Sequence, residues 1–153
     1  MAEVIFEDFS VKVKGALDDA VNQFLEETAS EIQSQTQRKT PVDTGQLKGS
    51  WSHIVDEARK EATIGSPLEN AIWTEFGTGE YALEGKGRKG GWLVPAEKLS
   101  VKAKSIMQKV EIDGKEFYHT YGKRPVRMLH NAFEVNKAKI KRRAEQIFKE
   151  RLK

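Results

Sequence analysis

The stretch Thr40-Pro41-Val42-Asp43-Thr44-Gly45-Gln46-Leu47-Lys48-Gly49-Ser50 separates a helical pattern from an alternating one, and it decides the fold. Pro41 cannot continue a helix, because its ring removes a backbone donor and disfavours helical backbone at the residue before it. Asp43 and Thr44 can bond nearby backbone amides, and Gly45 can adopt positive φ. We therefore predict a tight polar reversal from helix into sheet, although the segment by itself is equally well explained as an ordinary turn.

Apolar residues recur at three- and four-residue spacing in two long segments, one near each end of the chain. Because this spacing puts them on one helix face, we predict helices over about residues 11–38 and 128–152. The polar run at residues 33–37 is expected to fray the first helix. The first stripe comprises Val13, Leu17, Ala20, Val21, Phe24, Thr28 and Ile32. The second comprises Leu129, Ala132, Phe133, Asn136, Ile140, Ala144, Ile147, Phe148 and Leu152.

Alternating apolar and polar residues indicate strands between these helices. Residues 47–56 read as a half-buried strand, and residues 61–65 as a short returning one. Residues 91–95 read as the start of another strand. Residues 109–120 predict a hairpin, because Asp113-Gly114 at their centre is favoured in two-residue turns.

Three further segments are less regular. Residues 70–78 are rich in aromatic and β-branched side chains, which favours a strand, although a helical turn before Phe76 also fits. Residues 79–91 hold five glycines in thirteen positions and predict a flexible basic loop. Residues 3–9 are short and mixed, a strand or an arm.

Together these segments predict an α+β fold with both helices on one face of a sheet. Its order is an N-terminal helix, a small antiparallel sheet with a long basic Gly-rich loop and a hairpin, and a C-terminal helix. The 153 residues fit one domain spanning 1–153.

Charge is distributed unevenly along the chain. Residues 1–31 carry eight acidic and two basic residues, residues 86–104 one acidic and six basic, and residues 137–153 two acidic and eight basic. An acidic first helix and a basic last helix form complementary surfaces. Two arrangements fit this asymmetry: the helices neutralise each other within one subunit, or they steer neighbouring copies into register.

Residue types argue against the common catalytic and metal sites. The chain has no cysteine, which removes disulfides, thiol nucleophiles and thiolate metal sites. His53, His119 and His130 lack metal-ligand spacing, and His53, alternating with Trp51, is expected to be a packing or surface residue. The glycine-rich loop lacks the Lys-Ser or Lys-Thr of a phosphate-binding loop. We therefore predict no enzyme activity, no catalytic residue, no metal and no cofactor.

Nor does the composition favour a membrane protein or a secreted one. Apolar residues make up 38% of the chain and charged residues 32%. No apolar run approaches the roughly 18 residues that span a bilayer. The acidic first residues do not resemble a secretion signal. We expect no membrane partner.

Two other functions remain open from the residues alone. A small hydrolase would pair Glu75 with Glu69 or Glu80 near Trp73, since glycoside hydrolysis needs two carboxylates. A nucleic-acid-binding protein would use Lys86, Arg88 and Lys89 with the stacking surface of Trp92, and the basic helix face of Lys139, Lys141, Arg142 and Arg143. Such basic runs are more often solvated faces.

Three blocks taken together resemble the neck and tail-completion proteins of long-tailed phages and prophages. They are residues 41–50, the Trp73-Thr-Glu75-Phe-Gly77-Thr-Gly79 block, and Arg124-Pro125 with Met128-Leu129 and Ala132. The chain departs from that pattern at Asn70-Ala71, where family members often have Tyr-Ala. It departs again at Met128-Leu129 and Asn131, where Phe-Leu and a second proline are common.

The resemblance implies structural work in the virion, at the head–tail junction or the head-proximal end of the tail. It implies a homo-oligomeric ring, a hexamer by family resemblance, that contacts connector, tail-terminator or tail-tube proteins after assembly in the host cytoplasm. Lys86, Arg88, Lys89 and Trp92 become candidates for contact with a neighbouring subunit or ring. Lys139, Arg142 and Arg143 are candidates for DNA contact. The structural motif residues are Pro41, Asp43, Gly45, Glu75, Gly77 and Pro125.

Overall fold

The computed structural model describes residues 10–153, so the strand or arm predicted at residues 3–9 lies outside the described residues. The chain divides into two compact units. The terminal unit comprises Met1–Pro67 and Met128–Lys153, and the central unit comprises Leu68–Arg127. The organisation as one domain over 1–153 stays a prediction.

Each unit combines helices with antiparallel strands, which confirms the predicted α+β class. The terminal unit contains α1 (Ser10–Lys39), α2 (Gln46–Gly49), β1 (Ser52–Asp56), β2 (Glu61–Gly65) and α5 (Met128–Arg151). The central unit contains α3 (Glu69–Phe76), β3 (Trp92–Pro95), α4 (Val101–Ile106), β4 (Gln108–Ile112) and β5 (Lys115–Thr120). None of the described helices is long and apolar enough to cross a membrane.

The strands form two sheets instead of the single sheet expected. In the terminal unit, β1 pairs with β2. In the central unit, β5 lies between β3 and β4. The β4–β5 hairpin turns at Asp113 (φ 48°) and Gly114 (φ 72°), both in the left-handed region that a two-residue type I′ turn requires. The hairpin prediction is therefore confirmed.

Helix α1 organises the terminal unit, because it packs against α5 and against both β1 and β2. Its buried residues include Ala20, Ala29 and Ile32, and those of α5 include Ala132 and Ile147. Small alanines let the two helix backbones approach closely. This arrangement differs from the two helices on one sheet face that we predicted, since α5 packs mainly along α1.

The end of α1 is more regular than its sequence predicts. Residues 33–37 do not fray, and the helix continues to Lys39. Thr36 is fully buried, and its Oγ1 donates to the Ile32 carbonyl (2.7 Å). Packing thus stabilises polar residues that have no strong helix preference of their own.

The chain then reverses as predicted, with Gly45 at φ 84°, but the strand begins later than expected. Residues 46–49 form a helical turn in which the Gly49 amide donates to the Gly45 carbonyl (3.0 Å). Strand β1 therefore starts at Ser52, not at Leu47. From Trp51 onward, the predicted alternation of buried and exposed residues is observed.

Two hydrogen bonds fix the reversal to the core. The buried Trp51 Nε1 donates to Thr40 Oγ1 (2.9 Å), and Thr40 Oγ1 donates to the Thr36 carbonyl (2.7 Å). The imidazole of His53 also contacts α1, through Gln33 Oε1 (2.5 Å) and Glu26 Oε1 (3.0 Å).

Acidic α1 and basic α5 pair within this unit. Arg143 donates to both carboxylate oxygens of Glu27 (2.6 and 2.9 Å), and Lys139 Nζ lies 3.2 Å from Glu31 Oε1. The Arg143 hydrogen bonds, assisted by Gln23, lower the pKa of Glu27 from 4.5 to about 2. Of the two arrangements that the charge asymmetry allowed, the structure contains mutual neutralisation within one subunit.

We predict that the terminal unit loses stability as the pH falls from about 4.5 toward 2. The folded-state pKa of Glu27 lies below its ordinary value, so its contribution is complete above pH 4.5 and disappears as the folded carboxylate is protonated. The loss is modest because solvent screens both partners. Urea unfolding across this pH range should show a shallower acid-side decline for Glu27→Gln. Glu145→Gln, an exposed carboxylate on α5, is the control; equal declines for Glu27→Gln and the parent chain would contradict the assignment.

We also predict that Thr40→Val destabilises the protein by about 1–3 kcal/mol, because it leaves the buried Trp51 N–H without its acceptor. Thr63→Val, on the exposed side of β2, should change stability by less than about 0.5 kcal/mol. Urea unfolding of both variants checks this. A double-mutant cycle with Trp51→Phe should give a positive coupling energy; additive effects would show that the indole–hydroxyl bond is not the cause.

Candidate functional site

The three motif blocks fall into different parts of the structure. The block at residues 41–50 is the reversal of the terminal unit, where Pro41 and Asp43 are exposed and Gly45 supplies the positive φ. Its last residue, Ser50, donates to the Leu47 carbonyl and shares a 2.7 Å hydrogen bond with Ser66 Oγ. This block shapes the entry into β1.

The second block meets the Arg124-Pro125 part of the third in the central unit, although about 45 residues separate them, whereas Met128, Leu129 and Ala132 of the third block lie on α5 in the terminal unit. The Thr78 amide donates to the Lys123 carbonyl (2.9 Å), and the Lys123 amide donates back to Thr78 Oγ1 (2.9 Å). The Val126 amide donates to the Thr74 carbonyl at the end of α3 (2.8 Å). We call this meeting of residues 73–79 with residues 121–126 the motif junction.

Gly77 is the tightest point of the motif junction. It ends α3 with φ 75° and ψ 173°, a conformation that side chains rarely adopt. A Cβ there would lie 2.9 Å from the Lys123 carbonyl oxygen, the Pro125 ring and the Tyr81 carbonyl oxygen. Two residues singled out by the sequence, Gly77 and Pro125, are therefore in direct contact.

A hydrogen bond between the buried Thr74 and the exposed Lys123 supports the junction from the α3 side. Thr74 is almost fully buried, and its Oγ1 donates to the Asn70 carbonyl (2.8 Å) while accepting from Lys123 Nζ (2.8 Å). Partial burial lowers the pKa of Lys123. Glu75, next in the chain, is 8% exposed.

The carboxylates considered for a hydrolase differ in their surroundings. Glu75 is buried in α3, whereas Glu69 and Glu80 are exposed. Glu80 Oε1 accepts the Gly90 amide (3.0 Å) and so fixes the basic loop. Within residues 10–153, no group of three or more histidine or carboxylate side chains could hold a metal ion. This arrangement suits structural roles for these carboxylates.

The loop candidates for ring contact lie close together on the central unit. The Arg88 guanidinium stacks over the Trp92 ring at 5.5 Å, and Lys86 pairs with Glu84 (3.2 Å). Lys89 is exposed. The loop folds back on the motif junction. Gly87 lies so close to the Gly79 backbone that a Cβ at position 87 would not fit.

The candidates for DNA contact lie on α5 in the terminal unit. Lys139 and Arg143 already pair with Glu31 and Glu27, whereas Arg142 is exposed. Phosphate contact through Lys139 or Arg143 would break an existing ion pair, so Arg142 is the best placed of the three.

Sequence analysis missed an exposed apolar surface on α3. Of the two alternatives left open for this segment, the structure contains the helix before Phe76, which turns Ile72 (60% exposed), Trp73 (48%) and Phe76 (53%) outward. Leu83 is 45% exposed, and its amide donates to the Phe76 carbonyl (3.0 Å). Ile72 and Phe76 are four residues apart, so a helix prediction for this segment would have placed both on the same helix face.

A groove of about 460 Å³ runs beside this surface. Its lining includes Phe76, Ala82 and Leu83, with Glu84 and Lys86 at the charged positions. We use the name α3 groove for this cavity together with the exposed residues beside it, which are Ile72, Trp73, Phe76 and Leu83. Its exposed aromatic and aliphatic side chains are the kind that anchor protein–protein contacts.

We predict that Gly77→Ala destabilises the central unit by about 2–4 kcal/mol, from backbone strain and overpacking together. Gly85→Ala is the matched control, because Gly85 also has positive φ (66°) but no atom lies within 4 Å of an added Cβ. The control should cost only about 1 kcal/mol. Thermal and urea unfolding measure both; equal costs would mean that the close approach at the motif junction contributes nothing.

Part of the chain matches a family of known proteins. Residues 6–77 match the family model described as Bacteriophage HK97-gp10, putative tail-component. No curated protein and no solved structure matches the chain. The matched residues include the reversal at residues 40–50 and the Glu75-Phe76-Gly77 part of the second block. The match bears out the resemblance noted from the sequence: over residues 6–77, a little under half of its length, the chain is similar to this family of putative phage tail components.

Proposed function

We propose that this protein is a structural subunit at the head–tail junction or the head-proximal end of a phage tail, where it forms a ring that completes or joins the tail. The observation that carries the proposal is the match of residues 6–77 to a tail-component family. The proposal places the protein in the virion, after assembly in the host cytoplasm. Its partners are further copies of itself and adjoining connector, tail-terminator or tail-tube proteins.

The surface of the described residues supports an assembly role. Large apolar side chains are exposed in several places, among them Val11 (79%), Ile72 (60%), Val101 (85%) and Val135 (72%). Exposed apolar residues that stand alone are ordinary, but Ile72, Trp73 and Phe76 lie together on the short helix α3, and grouped apolar surface of this kind is typical of proteins that bind other proteins. At the motif junction, the close approach of Gly77 to Pro125 and the Val126–Thr74 hydrogen bond hold α3, with Glu75 on it, in place within the central unit.

The ion pairs within the terminal unit reduce the number of surfaces that could form contacts in a ring. Glu27 and Glu31 are already neutralised by Arg143 and Lys139. Using these charges between subunits would require their present pairs to open. We therefore assign contact with a neighbouring ring to the basic loop, through the exposed Lys89 and the Arg88–Trp92 stack, and not to the acidic and basic helices. Lys86 could join this contact only if its ion pair with Glu84 opened.

DNA contact is a secondary proposal, in which the subunit faces the genome within the neck. Arg88 over Trp92 combines a cation with a stacking surface, the chemistry of single-strand binding sites. Arg142 adds an exposed cation on α5. The pairing of Lys139 and Arg143 with carboxylates makes this the weaker proposal.

We predict that a phage carrying a stop codon early in this gene produces heads and tails that fail to join or complete. Negative-stain microscopy of the lysate should show separate heads and tails, and plaque titre should fall by several orders of magnitude. Supplying the intact chain from a plasmid should restore both. A Gly77→Ala chain should restore them poorly, and a Gly85→Ala chain fully. Normal joined particles without the protein would contradict the proposed function.

A further inference from the structure

Two basic stretches of the chain meet beside the motif junction. Residues 86–92 and residues 121–127 together contain six basic residues and no acidic one. Gly79 lies between them, because a Cβ at Gly79 would be 2.8 Å from the Trp92 ring and would clash with the Tyr121 carbonyl oxygen. The central unit therefore brings together, at one glycine, two cationic segments that are distant in the chain.

One arginine of each stretch is held on an aromatic ring. The Arg88 guanidinium lies over the Trp92 ring, 5.5 Å from its centroid, and the Arg124 guanidinium lies over the Tyr81 ring, 4.5 Å from its centroid. The Trp92 ring contacts Gly79, and Tyr81 is the last residue of the short helical turn that begins at Gly79. Both stacks are therefore built on the same turn of the backbone.

Stacking orders these two guanidinium groups without using their N–H donors. Arg143 on α5, by comparison, already donates to Glu27. Within residues 10–153, neither Arg88 nor Arg124 donates to a carboxylate or forms an ion pair. A guanidinium presents five donors in a planar fork that suits phosphate oxygens. An arginine that a ring holds in place with its donors free is pre-organised to bind an anion.

The neighbouring carboxylates do not neutralise this surface. The Glu80 carboxylate accepts the Gly90 amide (3.0 Å), and the Glu84 carboxylate pairs with Lys86 (3.2 Å). With both glutamates counted, residues 79–92 and 121–127 carry six basic and two acidic residues. The excess of positive charge attracts a polyanion to this side of the central unit.

We propose that Arg88 and Arg124 form a binding site for the phosphate backbone of double-stranded DNA. Each guanidinium donates to a phosphate oxygen, and the exposed Lys89 adds a cation next to Arg88. Because each guanidinium covers a face of its ring, the rings position cations and do not stack on bases, as they would in a single-strand site. The inference rests on the proposed function in its secondary form, DNA contact, and places that contact on the central unit and not on α5.

The test measures by fluorescence anisotropy how the full chain binds a labelled duplex of about 20 base pairs, and one of its strands, between about 50 and about 200 mM salt. The site variants are Arg88→Gln, Arg124→Gln and their combination. Arg59→Gln with Arg142→Gln is the matched control, because it removes the same charge from two exposed arginines of the terminal unit, one of them on α5. Arg124→Gln is the decisive single variant, since Arg124 is not assigned to contact with a neighbouring ring.

The parent chain and the control should bind the duplex more tightly than the single strand. Each single site variant should reduce the slope of log binding constant against log salt by about 0.9, and the double variant by about 1.8, because each lost phosphate contact releases about one counterion fewer. The double variant should bind at least about tenfold more weakly at about 100 mM salt. Lysine at both positions should restore the slope but not the full affinity, since an ammonium keeps the charge and loses the planar fork.

Three results would overturn the inference: a parent chain that does not bind duplex DNA, site variants that bind like the control, or tighter binding of the single strand than of the duplex. The last result would mean that base stacking causes the contact. The particle-joining experiment distinguishes such a failure from failure of the proposed function. If heads and tails need the protein but it does not bind duplex DNA, the structural role stands and this site is wrong.

Discussion

The packing of α1 against two partners at once is the constraint on which the terminal unit depends. One helix contacts α5 and both strands of the β1–β2 hairpin. Alanines at positions 20 and 29 allow close approach, and Ile32 fills the space between backbones. The Thr36–Thr40–Trp51 hydrogen bonds then fix where the chain leaves α1. The position at which the chain leaves α1 directs β1 back along the helix.

The sequence predicts those parts of the structure that are determined by interactions between residues close together in the chain. The bounds of α1 and α5 and the Asp113-Gly114 turn follow from periodicity and backbone preference, which act over a few residues. The extension of α1 through Thr36 depends on tertiary burial, so composition alone predicted fraying. Residues 70–78 were left open between a strand and a helical turn before Phe76, and the structure contains the helix, with Ala71 and Thr74 buried.

The residues of the candidate site also differ in how far the sequence predicts them. Gly77 and Pro125 could be chosen from the sequence because they belong to the motif blocks of the family resemblance, and the structure brings them into contact. The outward face of α3 could not, because exposure of Ile72, Trp73 and Phe76 depends on which side of the helix the rest of the unit covers. Charge patterning was likewise incomplete: it identified complementary helices, but only the structure showed that Glu27 and Arg143 satisfy each other within one chain.

This pairing bears on which surfaces of the subunit are available to a partner. Glu27 and Arg143 satisfy each other inside the terminal unit, so these charges stabilise one chain and would have to separate before they could join two. The outward residues of α3 carry no such cost. Ile72, Trp73 and Phe76 are about half exposed, and covering them with another protein removes apolar surface from water. A subunit built in this way uses its paired charges for its own stability and leaves apolar surface exposed for contact.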